Sequence, residues 1–153
     1  MGMGISVYLK RMIRYVIKGL PEYNVTVEVK ESIPSRQLEG QNIIVTGAGR
    51  GLGFYIAKRC IAEGANVLIT GRNEETLKKA VAELGDKSKY LVFDAQNVSG
   101  VSAFINNAEN MFSGEKITGL VSNAGVSLHE GDFRHVTEEG WDIQLNTNLK
   151  GNY

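Results

Sequence analysis

The apolar run Asn42–Thr46 (NIIVT) passes without a break into Gly47-Ala48-Gly49-Arg50-Gly51-Leu52-Gly53, and a helical pattern over 51–63 begins inside those glycines. This junction constrains the fold more than any other feature of the chain. A short run that is apolar throughout, rather than at alternate positions, belongs in a sheet buried on both faces. Its direct continuation into a helix defines a strand-turn-helix unit, and the glycines say that the backbone must turn tightly there.

The same unit recurs along the chain. Ala65–Thr70 (ANVLIT) is the second expected strand, followed by a helix over Glu74–Leu84. Lys89–Phe93 (KYLVF) is the third, with a helix over Ser99–Phe112, and Ile117–Ser122 (ITGLVS) is the fourth, with a last helix from Thr137 toward the chain end. Apolar strands alternating with helices indicate a parallel sheet covered on both faces, and right-handed crossovers make it a doubly wound α/β domain. The 153 residues, 42% hydrophobic and 22% charged, are enough for one such core and not two. Residues 40–153 form the expected domain and residues 1–39 an N-terminal extension.

Other functional classes find little support. Lys and Arg together number 17, as do Asp and Glu, so net charge gives no reason to expect nucleic acid. Cys60 is the only cysteine, which excludes an intramolecular disulfide and fits a reducing, cytoplasmic setting. Its apolar spacing inside the first helix makes it a core residue. No apolar stretch approaches the roughly 18 residues needed to cross a bilayer, and the N-terminus lacks the pattern of a signal peptide. His129 and His135 have no cysteine or acidic partners at ligand spacing, so no metal site is expected. Asn24-Val25-Thr26 and Asn97-Val98-Ser99 match a glycosylation sequon by letter only.

The chemistry of the glycine turn follows from its place. Missing β-carbons let a pyrophosphate approach the backbone, and the helix that starts there aims N–H groups and its positive dipole end at the anion. The common spacing G-x-G-x-x-G is not met, since Leu52 stands where the third glycine would fall. Thr46, Gly47, Gly51 and Gly53 instead fit T-G-x-x-x-G-x-G.

In that spacing the sequence resembles the short-chain dehydrogenase/reductase family, whose members carry this variant. Asp94 ends the third strand, where the family has an acid that contacts the adenine amino group, with Ala95 beside it. Asn123-Ala124-Gly125 matches the family's N-A-G after the fourth strand, although Ser122 stands where a further Asn is often found. Trp141-Asp142 through Asn148-Leu149-Lys150-Gly151 resembles a fourth segment, with Thr147 in place of Val. The resemblance covers residues 40–153. It implies a Rossmann-type doubly wound parallel sheet, truncated before the fifth strand, with an N-terminal helical extension. It also implies that Thr46, Gly47, Arg50, Gly51, Leu52, Gly53, Arg72, Asp94, Ala95, Asn123, Ala124 and Gly125 bind a nicotinamide dinucleotide. Asn148 is the catalytic candidate, by resemblance the helix residue that organises the catalytic water and lysine.

The second strand bears on which dinucleotide. An NAD site of this type places an acid at its end, on the ribose hydroxyls. Here Gly71 holds that place and Arg72 follows it, while Arg50 lies across the same pocket. Two guanidinium groups suit a 2′-phosphate, so NADP(H) is favoured over NAD(H).

The family's catalytic Ser and its Tyr-x-x-x-Lys have no counterpart in the chain, so catalysis is expected of a parent protein and not of these residues alone. The expected parent is an NADP(H)-dependent oxidoreductase of small carbonyl or alcohol substrates, resembling the 3-oxoacyl-carrier reductases, and a homo-oligomer. The alternatives are a non-catalytic nucleotide-binding module and a nucleotide-sugar epimerase or dehydratase. In the extension, a helix over Ile5–Leu20 would gather Lys10, Arg11, Arg14 and Lys18 on roughly one 100° arc. Packing against the body or a second subunit is the first reading of it, contact with a membrane surface the second, and docking to a partner protein or acyl carrier the third.

Overall fold

The computed structural model describes residues 35–128 and 132–152. The helix expected over 5–20, the alternating segment 24–30 and His129 lie outside the described residues. The chain divides into two units, Met1–Ile33 and Pro34–Tyr153, and every described residue belongs to the second.

Four strands, β1 (Asn42–Thr46), β2 (Asn66–Gly71), β3 (Ser88–Val92) and β4 (Gly119–Val121), form one parallel sheet in the order β3-β2-β1-β4. Between and after them run α1 (Gly51–Ala62), α2 (Glu74–Leu84), α3 (Val101–Met111) and α4 (Glu138–Asn148).

Successive side chains in a strand leave on opposite faces, and this divides the core in two. Ile43, Val45, Val67 and Ile69 pack on Phe54 and Ala57 of α1 and on Leu77, Ala80 and Leu84 of α2. Ile44 and Leu68 point the other way, onto Ala108 of α3 and the adjoining Phe112. Both faces being covered is the reason these strands are apolar at consecutive positions. Fully burying one such side chain stabilises the fold by roughly 1.5–3 kcal/mol.

Ends differ from the expected ones where a side chain takes over from the backbone. The third helix begins with a 3-10 turn, Val98–Gly100, because the Asn97 side chain accepts the Gly100 N–H, and α3 proper starts at Val101. The fourth strand has three residues instead of the expected six. Before it, the Asn42 N–H bonds to the Thr118 hydroxyl, and after it the Asn123 N–H bonds to the Thr46 hydroxyl. A ladder whose next partner is a hydroxyl ends there. The expected second and third strands are each offset by one residue, and α1 stops one residue earlier than expected, with Glu63 as its C-cap.

Ser35–Gln41 run against the C-terminal end of α1. The Leu38 N–H donates to the Glu63 carbonyl at 2.9 Å, and the Glu63 carboxylate accepts the Ser35 N–H at 2.8 Å and Arg59 Nη2 at 2.5 Å.

Candidate functional site

From β1 the chain winds outward through β2 to β3, then returns to the other side of β1 to lay down β4. The loops leaving β1 and β4 therefore diverge, and a crevice opens above the carboxyl ends of the strands. It measures about 530 Å³ and is lined by the glycine turn, the ends of β2 and β3, residues 123–126 and Thr147.

The floor of this cleft is sewn together by two side chains. The Thr46 hydroxyl accepts the N–H groups of Asn123 at 3.0 Å and Ala124 at 2.9 Å. Asn123 Nδ2 in turn donates to the carbonyls of Thr46 at 2.9 Å and Gly47 at 3.3 Å. Asn123 thus spends its amide on the turn, holding the glycine loop in shape. Two glycines make that closeness sterically possible. A β-carbon on Gly47 would lie 2.8 Å from the Ala124 Cα, and the φ of +65° at this position is one that favours glycine. A β-carbon on Gly53 would strike the Asn123 amide and come within 2.8 Å of the Gly47 oxygen and 2.9 Å of the Ala48 Cα.

The helix above this floor begins without a lid. Its N-cap, Arg50, has extended backbone and makes no side-chain cap hydrogen bond, and no acid lies in the first turn. By contrast, the Asn73 side chain caps α2 and Thr137 caps α4. The first N–H groups of a helix have no partner inside it. At α1 these belong to residues that line the cleft, where the helix dipole favours a negative charge.

Charge is distributed unevenly around the walls. Arg50 and Arg72 are exposed, both line the cleft, and neither has an ion-pair partner among the described residues. Gly71, at the end of β2, brings no carboxylate to that side. Asp94, after β3, is the one acid lining the cleft among the described residues, and its Oδ1 accepts the Gln96 N–H at 3.0 Å.

The structure brings all twelve residues expected to hold the dinucleotide to this one cleft. Asn148 does not line it. Its Oδ1 accepts the Val126 N–H and its Nδ2 donates to the Val126 carbonyl, both at 2.8 Å, so its side chain fixes the loop after β4. Residues that sequence reasoning missed include Asn73 and Thr76, where the Asn73 Oδ1 accepts the Thr76 N–H and hydroxyl, each at 2.9 Å. An Asn just before two glutamates was the available signal, since that pattern marks a helix start. Thr147 was also missed as a lining residue, and its only signal was the departure from Val.

Burial pushes the Cys60 thiol above its ordinary pKa, and the side chain packs against the core. Among the described residues no three His, Cys, Asp or Glu side chains gather to hold a metal ion. No described helix is long and apolar enough to cross a membrane.

Comparison with known proteins matches residues 41–153 to the family model of the short chain dehydrogenases. The chain is 34% identical over 117 residues to an NADP-dependent (R)-specific alcohol dehydrogenase of Lentilactobacillus kefiri, covering 75% of this chain and 45% of that one. It is 37% identical over 113 residues to nodulation protein G of Rhizobium meliloti, covering 74% and 45%. Among solved structures it resembles the 3-ketoacyl-(acyl-carrier-protein) reductase of Brucella melitensis complexed with NADH. The TM-score is 0.70 at 31% identity, over 75% of this chain and 46% of that one. The chain therefore spans less than half the length of each of these three relatives.

Proposed function

The chain belongs to the short-chain dehydrogenase family, and from that membership we propose that it forms the cofactor-holding part of an NADP(H)-dependent oxidoreductase of carbonyl and alcohol groups. The cleft fits a dinucleotide in its chemistry: a floor from which β-carbons are excluded, an uncapped helix start for the pyrophosphate, and one acid for the adenine amino group. When bound, the nicotinamide ring would supply the hydride donor or acceptor. The chain's own residues bind and orient. The N–H groups of residues 51–53 would hold the pyrophosphate, Thr46 and Asn123 keep the turn in shape, and Asn148 sets the loop at Val126.

The preference for NADP(H) rests on one observation, the pairing of Arg50 and Arg72 with a carboxylate-free β2 end at Gly71. Some relatives are named as NADP-dependent, but the Brucella structure holds NADH. Family membership alone therefore does not decide between them, and the arginines carry the reading. Substrate class and self-association follow the relatives, and within the class the 3-oxoacyl-carrier reductases are one analogy.

Fluorescence titration with NADPH and NADH tests the assignment. Arg72→Ala should weaken NADPH by about 1–3 kcal/mol, the worth of a charge-assisted hydrogen bond, and leave NADH binding unchanged. Equal losses for both dinucleotides, or tighter NADH binding by the unmodified chain, would overturn it.

A further inference from the structure

Two consecutive residues in the last turn of α4 grip opposite lips of the cleft. Asn148 holds Val126 on the β4 side. Thr147, 6% exposed, accepts Nε2 of Gln96 on its hydroxyl at 2.7 Å, and Gln96 lies in the loop after β3. The backbone N–H of the same Gln96 donates to Asp94 Oδ1. The residue tied to α4 is thus also the one that orients the only acid lining the cleft among the described residues. The bond from the Gln96 side chain to a buried hydroxyl anchors this aspartate turn to α4. Beyond α4, Gly151 adds a second contact, for a β-carbon there would lie 3.0 Å from the Ala95 oxygen. Valine, the residue that the family segment carries at the Thr147 position, has no hydroxyl with which to make this tie.

We infer that Gln96 and Thr147 are positioning residues for purine selectivity, holding the Asp94 carboxylate where it accepts a hydrogen bond from the amino group of adenine. The inference rests on the dinucleotide reading and adds to it the pair that sets which base is accepted. A purine bearing a carbonyl in place of that amino group meets the carboxylate acceptor to acceptor. Discrimination between the two bases therefore depends on how firmly Asp94 is held.

Fluorescence titration of the 153-residue chain with NADPH and with its reduced hypoxanthine analogue provides the test. The unmodified chain binds NADPH more tightly. Gln96→Ala and Thr147→Val each weaken NADPH by about fivefold, the central net worth of one neutral hydrogen bond, while the analogue changes by less than about twofold. Thr147→Ser keeps the hydroxyl and keeps the selectivity, and the double variant is no worse than either single one. Gln96 is exposed, so Gln96→Ala remains informative if Thr147→Val does not fold. Unchanged selectivity in Gln96→Ala, or equal weakening of both dinucleotides, overturns the inference and leaves the cofactor assignment standing. A chain that binds neither dinucleotide overturns both.

Discussion

At the scale of single residues, the glycine turn separates two reasons for a glycine. Gly53 is required by space, because its missing β-carbon is where the Gly47 carbonyl and the Asn123 amide sit. Gly51 is required by backbone angle alone, with a φ of +61° and open space around the absent β-carbon. Gly51→Ala should cost about 1–2 kcal/mol, the ordinary penalty of the left-handed region. Gly53→Ala should cost about 1–3 kcal/mol from overpacking and also displace Asn123. Thermal melts compare their stabilities, but only Gly53→Ala should lower dinucleotide affinity beyond what its loss of stability explains. Gly71 is a third case. Its φ is unremarkable, and a β-carbon would meet Leu77 at an ordinary 3.5 Å. Gly71→Asp should therefore fold, repel a 2′-phosphate and shift preference toward NADH, which paired titrations would read as an inverted ratio of affinities. The site was legible in the sequence to the extent that its residues act through backbone shape, as these glycines do. Asn73 has a local marker as the cap of α2, but that marker does not say that Asn73 and Thr76 face the cleft, and Thr147 reaches it only through the placing of α4.

At the scale of elements, the match between expectation and structure follows how strongly each end is marked. β1 and α2 have the expected bounds, α2 because Asn73 caps its start and Gly85 follows its end. The end of β4 was not legible, because a hydroxyl 75 residues away donates to the Val121 carbonyl, at 3.5 Å, and accepts the N–H groups of Asn123 and Ala124. The join between Ser35–Gln41 and α1 has its own marker, Glu63, which is only 8% exposed. Burial pushes this carboxyl up, but the N–H groups of Ser35 and Gln37 and the charge of Arg59 outweigh it, so its pKa lies below the ordinary carboxylate value. A depressed folded-state pKa contributes stability that is present above the unfolded value, near pH 4.5, and is lost as pH falls through the folded one. Amide hydrogen exchange at Ser35 and Gln37 should accordingly accelerate as pH drops below about 4.5, after correction for intrinsic rates. Glu63→Gln should show fast exchange at every pH; protection that persists in that variant would show that the carboxylate does not hold this join.

At the scale of the whole molecule, the sheet presents a contrast between its two sides. β2 is flanked on both edges and fully buried over Val67–Ile69, whereas β4 pairs only with β1 among the described residues, and Leu120 is 64% exposed. On α4, Trp141 and Leu149 are 57% and 66% exposed. An open strand edge beside apolar surface favours association, so the 153-residue chain should elute from size exclusion with a light-scattering mass above that of a monomer. A monodisperse monomer at micromolar concentration would contradict this. The strand order was not written in any local pattern, since apolar runs say that strands are buried but not who their neighbours are. That order has a kinetic side as well. Asn42 and Asn66, joined across β1 and β2, are 24 residues apart in the chain, whereas the Thr46–Asn123 lock spans 77. Closing the longer loop costs roughly 1 kcal/mol more in chain entropy, so β1, β2 and β3 should assemble first and β4 dock late. The cleft would then exist only after the last step of folding. Weakening its floor, by Thr46→Val for example, should quicken unfolding while leaving the folding rate nearly untouched.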